Sequence, residues 1–349
     1  DNLASRTDIM SKYNMESSDS GIVVKCGEKE KRVTISDLYT YEYTNNSYEE
    51  VNITEEALTN AILDVTTENK PKIYLYNVHS SYGEKYFTTL SEGIKNDANE
   101  FEFLDLLKTG KIPEDCITID DETINNGVVT VRDRDTMAQI TLNVDEIVDY
   151  INNGGNIILL EDPNVLNANT PKFQSVIDMY GFSVSNGVVM EQDDDKMIHN
   201  MPGFVITDVD TNTSITKNLN MNVTMCLMDP GKIEFKDSET LNQLGVSYET
   251  IAKASQTAFL RADLNNTELS KGENDQDASE AILGALVTKK VNDEKTSKLI
   301  VYSNAIFSTN MSISMSNSTM SAISFYNNED MIVNSVNYLT EKENSITIR

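Results

Sequence analysis

Apolar positions along this chain recur in two rhythms. Ala57, Leu58, Ala61, Ile62 and Val65 fall at helical spacing in "TEEALTNAILDVTTEN", which predicts a helix with that stripe inward. The same spacing marks Phe87, Leu90 and Ile94 in "EKYFTTLSEGIKND", Ile147, Val148 and Ile151 in "VDEIVDYINN", Phe173, Val176, Ile177 and Tyr180, and Ile332, Val336 and Leu339 in "EDMIVNSVNYLTEK". Alternation and turn composition make "GIVVKCG" and "KRVTIS" a hairpin. "KPKIYLYNV", "NIILL" and "SKLIVYSNAIF" are strands, with "EFEFLDLL" and "CITID" as further ones. "NIILL" has no polar interruption, the pattern of a central strand covered on both faces in a parallel sheet. "INNGVVTVRDRDTMAQITLN" reads as an inserted hairpin with strands 128–131 and 138–142.

Strand and helix alternate, so the expected fold is α/β: a mostly parallel sheet flanked by helices, with an irregular β-rich insertion. Residues 1–70 read as a small N-terminal β-containing unit, 71–190 with 280–349 as the α/β core, and 191–279 as an insertion or subdomain of weak periodicity. The stretch "NNGGNIILLEDP" then locates a candidate site. Gly154 and Gly155 end a helix, and Glu161, Asp162 and Pro163 mark the carboxyl end of the strand. Ligands of open α/β sheets sit beyond such ends, which singles out Glu161, Asp162 and Asn164, with His79 after the first core strand. Acidic residues and Pro are also ordinary turn chemistry after a strand.

Charge narrows the partners. A net charge of -28, with 28 Lys and Arg scattered along the chain, leaves no basic patch for duplex nucleic acid or anionic lipid. No apolar run reaches the ~20 residues of a membrane span. A chain that starts at Asp1 is expected to be a fragment or a mature ectodomain whose anchor lies elsewhere. Cys26, Cys116 and Cys226 form no C-x-x-C pair, which speaks against zinc and leaves one disulfide open.

Catalytic and cofactor motifs are missing. Neither G-x-G-x-x-G nor G-x-x-x-x-G-K occurs, G-x-S-x-G is absent, and no cofactor is expected. Asp208, Asp210 and Asn212 open like a calcium loop, but Thr213 stands where the sharp turn needs Gly and Leu219 where a bidentate Glu is needed. Tyr39, Tyr41 and Tyr43 share one side of an extended segment, with Tyr48 nearby, the pattern of a sugar-stacking face or of a half-buried strand.

The ordered segments carry a resemblance. "ITEEALTNAILDVTTENKPKIYLYNVHSSYGE", "IVDYINNGGNIILLEDPN", "FQSVIDMYGFSVSNGVVME", "KLIVYSNAIFS" and "NNEDMIVNSVNYLTEKENSITIR" together resemble the GldG-like, gliding-motility-type ABC transporter auxiliary family over about 53–349. The most specific elements are the order helix, Gly-Gly, strand, Asp-Pro and a terminal helix with Asn334, Asn337 and Leu339. The resemblance implies a flavodoxin-like or class I glutamine-amidotransferase-like fold without its catalytic Cys. It also implies an extracytoplasmic domain, anchored by transmembrane segments outside this chain, that works beside an ABC permease and ATPase. The family's Gly-His-Gly-Glu is spread out here as His79, Gly83 and Glu84 in "NVHSSYGE". The expectation is therefore a non-enzymatic interaction module, with two alternatives: a domain binding cell-envelope glycan or a peptidoglycan fragment, and a hydrolase using His79 with Glu161 or Asp162.

Overall fold

The structure is a computed structural model that describes residue 12 and residues 21–44, 47–76, 83–104, 116–121, 128–132, 139–161, 163, 171–216, 223–315 and 319–340. At the amino end, β1 (Gly21–Cys26) and β2 (Lys29–Thr34) form the hairpin expected from their alternation, turning at Gly27 with φ +60°. A second hairpin pairs β3 (Tyr39–Thr44) with β4 (Ser47–Asn52). Helix α1 (Thr54–Thr66) packs on β1 and β2. Ala61 and Val65 are buried as their spacing predicts, but Ile62 is 51% exposed. A two-stranded hairpin is too narrow to cover the whole stripe.

The central sheet begins with β5 (Lys72–Tyr76), followed by α2 (Thr88–Asn96), β6 (Glu100–Phe103) and β7 (Cys116–Asp121). The inserted hairpin forms as read, from β8 (Val128–Arg132) and β9 (Gln139–Asn143). It leads into α3 (Val144–Asn152), β10 (Asn156–Leu160) and α4 (Pro171–Met179). The turn from α3 to β10 requires its glycines: Gly154 has φ +90°, and a Cβ on Gly155 would lie 2.3 Å from the Tyr150 ring.

The remaining strands are mainly antiparallel. They are β11 (Phe182–Val184), β12 (Val188–Met190), β13 (Met197–Ile198), β14 (Met201–Ile206), β15 (Asp208–Val209), β16 (Cys226–Met228) and β17 (Ile233–Phe235). After α5 (Ser238–Leu244) come β18 (Val246–Lys253), β19 (Phe259–Arg261), β20 (Gln276–Asp277), β21 (Ile282–Lys290), β22 (Thr296–Tyr302), β23 (Ser312–Ser314) and β24 (Thr319–Ser321). Helix α6 (Asn328–Leu339) closes the described chain apart from Thr340.

The ten-stranded sheet has the order β11-β17-β21-β22-β10-β7-β5-β6, with β18 also paired to β21 and β15 to β18. Only the pairs β22–β10, β10–β7, β7–β5 and β5–β6 are parallel. Every other pairing among the described residues is antiparallel, in this sheet and in the small sheets β12–β19–β20, β13–β14–β16 and β23–β24. The protein is β-rich and mixed, which overturns the expected mostly parallel, flavodoxin-like or amidotransferase-like sheet. An unbroken apolar strand reports burial on two faces but not direction. Direction was decided by the turn "VNDEK": Asn292 Oδ1 accepts from the Glu294 and Lys295 amides, and the Val291 amide donates to the Lys295 carbonyl. That short turn makes β21 and β22 a hairpin, so their pairing must be antiparallel.

Side-chain alternation sorts the core into two sides of the sheet. Ile73, Leu75, Ile158, Leu160, Ile300 and Tyr302 pack with Leu90 and Ile94 of α2 and Met331, Ile332 and Val336 of α6. Tyr74, Ile157, Leu159, Leu299 and Val301 pack with Ile151 of α3 and Val176 and Ile177 of α4. Each fully buried aliphatic side chain contributes about 1.5–3 kcal/mol. Helix α6 is buried well beyond its predicted stripe, since Asn328, Asp330, Asn334, Ser335 and Asn337 are buried too.

Candidate functional site

Four parallel strands, β5, β7, β10 and β22, bring their carboxyl ends to one edge, where Tyr76 lies beside Asp120 and Leu160 beside Asp121 and Tyr302. Neighbour order changes at β5: the chain goes to β6 on one side and then to β7 on the other. An open sheet forms its crevice at such a switch. Of the residues predicted there, Glu161 directly follows β10; its amide donates to the Tyr302 carbonyl at 2.9 Å, and its side chain is 4% exposed. Gly83 and Glu84 are both exposed, and Glu84 begins a 3-10 turn, Glu84–Phe87, that leads into α2. His79, Asp162 and Asn164 lie outside the described residues. Pro163 is buried near Gly231 and Val184.

The segment that follows β22 was not singled out from sequence as part of a site, yet among the described residues it makes the hydrogen bonds that follow. The Ser303 amide and hydroxyl both donate to the Leu283 carbonyl, and the Gly231 amide donates to the Ser303 carbonyl. Asn304 is fully buried: its Oδ1 accepts from the amides of Met228 and Phe307, and its Nδ2 donates to the Met228 carbonyl at 2.5 Å. The chain then reaches the start of α2, where the Asn310 amide donates to the Tyr86 carbonyl at 2.6 Å. Asn310 Oδ1 accepts from the Thr88 hydroxyl and the Thr89 amide, each at 3.0 Å, and Nδ2 donates to Thr89 Oγ1 at 2.5 Å.

That last contact changes what the edge can do. The amino end of a helix beside strand ends is where an open α/β sheet presents free amides to an anion. Here Asn310 takes up the Thr89 amide. Phe307 is fully buried and packs on Tyr302 with ring centroids 5.1 Å apart. Burial pushes the Tyr302 hydroxyl well above its usual range, against a smaller lowering by its hydrogen bond with Ser335. Sequence could not pair Asn310 with α2, because its partners lie 221 and 222 residues away.

The other sequence candidates resolve as local structure. Asp208 pairs with Lys196 at 2.5 Å, and Asp210 Oδ1 accepts the Asn212 amide at 2.9 Å. No group of three or more His, Cys, Asp or Glu placed to hold a metal occurs among the described residues. Cys26 is exposed and Cys226 buried, and both are free thiols. Among the described residues no helix is long and apolar enough to cross a membrane.

Comparison with known proteins singles out a different part of the chain. Residues 114–154 match the anticodon binding domain family. Those bounds enclose β7, the β8–β9 hairpin and α3. The chain is 58% identical over 36 residues to the glycine--tRNA ligase of Clostridium tetani and 56% to that of Clostridium kluyveri, covering 10% of this chain and 8% of each ligase. A glycine--tRNA ligase from Methanothrix thermoacetophila is 58% identical over 36 residues, 10% of this chain and 6% of that one. The chain thus spans less than a tenth of the length of these curated relatives. Among solved structures, the mmIFT52 N-terminal domain aligns with 77% of this chain and 97% of its own at TM-score 0.49 and 12% identity. A putative ThuA-like protein from Bacteroides uniformis aligns with 78% of this chain and 93% of its own at TM-score 0.42 and 14% identity.

Proposed function

We propose that this chain is a non-enzymatic interaction domain, the extracytoplasmic part of an ABC transporter auxiliary subunit in an export or gliding-related system. It would be held at the bacterial membrane by segments outside these residues, with the permease and ATPase of the same system as its partners. One observation supports the non-enzymatic part: Asn310 takes up the Thr89 amide at the start of α2, a donor that an enzyme on such a sheet would keep open to substrate. The transporter part rests on the resemblance of the ordered segments. The test is co-purification of the full-length protein from its native host in mild detergent. Stoichiometric recovery of an ABC permease and ATPase supports the reading. Recovery of the protein alone, under conditions that keep a known membrane complex intact, refutes it.

The match over residues 114–154 favours a second reading, in which that segment binds RNA. Its charge works against this. The segment holds ten acidic residues against Arg132 and Arg134, while binding to a phosphate backbone draws its affinity from basic groups that release counterions. We therefore assign the segment to protein contact. Transfer RNA mixed with the chain at low salt should migrate unshifted in a native gel; a shift that fades with added salt would restore the RNA reading.

A further inference from the structure

Strands β19 and β20 form a hairpin, with Phe259 opposite Asp277 and Leu260 opposite Gln276. A tight turn is enough to close such a hairpin, yet residues 262–275 stand between its strands. A compact surface loop whose ends lie side by side is a frequent carrier of function. This one is held from inside by Arg261. Its guanidinium is 2% exposed, lies over the Phe259 ring, pairs with Asp275 and donates to the carbonyls of Glu268 and Ser270. The turns are fixed as well. Asp263 Oδ1 accepts the Asn265 amide and Asn266 Oδ1 the Glu268 amide, each at 3.0 Å, and Asp275 Oδ2 accepts the Gly272 amide at 2.8 Å. Burying an ion pair carries a desolvation penalty. Here the pair orders a loop whose apolar side chains, Ala262, Leu264 and Leu269, join none of the core clusters.

Those side chains are presented outward. Leu264 is 44% exposed and Leu269 63%, the most exposed large apolar side chain among the described residues. Arg261 holds the carbonyls on both sides of Leu269, so its backbone is ordered before any partner arrives, which lowers the entropy lost on binding. The charges around the leucines select the partner. Asp263, Glu268 and Glu273 are exposed in the loop against Lys271, and Asp277 and Glu280 are exposed just beyond it. Such a rim is complementary to basic groups. It repels anionic lipid, and a second copy of a chain with net charge -28 is repelled too.

We infer that the 262–275 loop is a docking element that inserts Leu269, with Leu264 as a second apolar contact, into an apolar pocket rimmed by lysine and arginine on a partner protein. The inference rests on the interaction-domain reading and gives that reading a contact surface.

The test is photo-crosslinking in the native host, using the full-length protein with p-benzoylphenylalanine in place of Leu269 and mass spectrometry of the crosslinked peptides. The expected product joins the loop to a partner peptide in which apolar residues are flanked by lysine or arginine. Its yield should be about tenfold lower in Leu264→Ser, which removes an apolar contact, and in Asp275→Asn, which releases the loop. Leu264 is exposed, so Leu264→Ser decides the matter even if Asp275→Asn does not fold. The same label at Tyr248, exposed on β18 outside the loop, should give that product only at background yield. The inference is overturned by no product, by equal yield from Tyr248, by a yield unchanged in Leu264→Ser, or by a partner peptide without basic residues. A lipid adduct or a crosslinked second copy overturns it as well. A product from a protein other than a permease or ATPase upholds the loop and counts against the transporter reading. Recovery of both transporter subunits without a product from Leu269 does the reverse.

Discussion

Asn310 caps a helix to which it is joined by no sequence signal. Its carboxamide serves the Thr88 hydroxyl and the Thr89 amide at the start of α2, so Asn310→Ala should cost about 1–2 kcal/mol of unfolding free energy in a urea titration. A cost near zero would mean that water replaces the carboxamide at the start of α2. Arg261 shows the same dependence on distant residues. It is 2% exposed, pairs with Asp275 at 2.7 Å and donates to the carbonyls of Glu268 and Ser270, clamping the exposed loop between them. The hydrogen bond from Arg261 is the main cause that holds the Asp275 carboxyl below its usual range. A depressed carboxylate stabilises the fold fully above its unfolded pKa of about 3.9 and loses that contribution as pH falls through the lower folded value. Acid should therefore open residues 262–275 below about pH 4, seen as hydrogen exchange at the Gly272 amide, which donates to Asp275. In Asp275→Asn the loop should already be open at neutral pH.

At the scale of elements, helical periodicity located α1, α2, α3, α4 and α6 but missed α5 (Ser238–Leu244), which lies in the stretch of weak periodicity, and it did not give the extent of burial. α1 and α6 have comparable stripes in sequence, yet Ile62 is 51% exposed while Val336 is fully buried between sheet and helix. Val336→Ala should lower unfolding free energy by about 2–3 kcal/mol, from two lost methyl groups and the cavity they leave. Ile62→Ser should change it by less than about 0.5 kcal/mol. Comparable costs in urea unfolding would mean that α1 is buried by a surface outside the described residues. The polar side of α6 is equally a tertiary outcome: Asn328 Nδ2 donates to the carbonyls of Cys226 and Ala322, and Asn337 Nδ2 donates to Asp97 Oδ2 at 2.5 Å. Those positions read as the solvent side of an amphipathic helix until their partners are known.

For the whole molecule, the net charge of -28 is the largest long-range force. Like charges repel within a compact fold, and added salt shortens their reach from ~30 Å at 0.01 M to ~8 Å at 0.15 M. The melting temperature should rise over that salt range; a fall would mean that the scattered ion pairs outweigh the repulsion. Acidity also makes basic surfaces the natural partners.

The sequence by itself determined where most elements lie, because helix and strand periodicity, Gly154–Gly155 and the hairpin turns act through neighbours in the chain. It placed the β8–β9 hairpin correctly. The apolar pattern could not decide strand direction, since burial on two faces is the same for parallel and antiparallel strands; the short turn at 291–295 made β21–β22 antiparallel, and the pairings between strands distant in the chain appeared only in the tertiary structure. The contacts of the segment after β22 were likewise settled in three dimensions: Asn304 and Asn310 bond to residues 76 and more than 220 positions away, and local pattern carries no information about contacts at that separation.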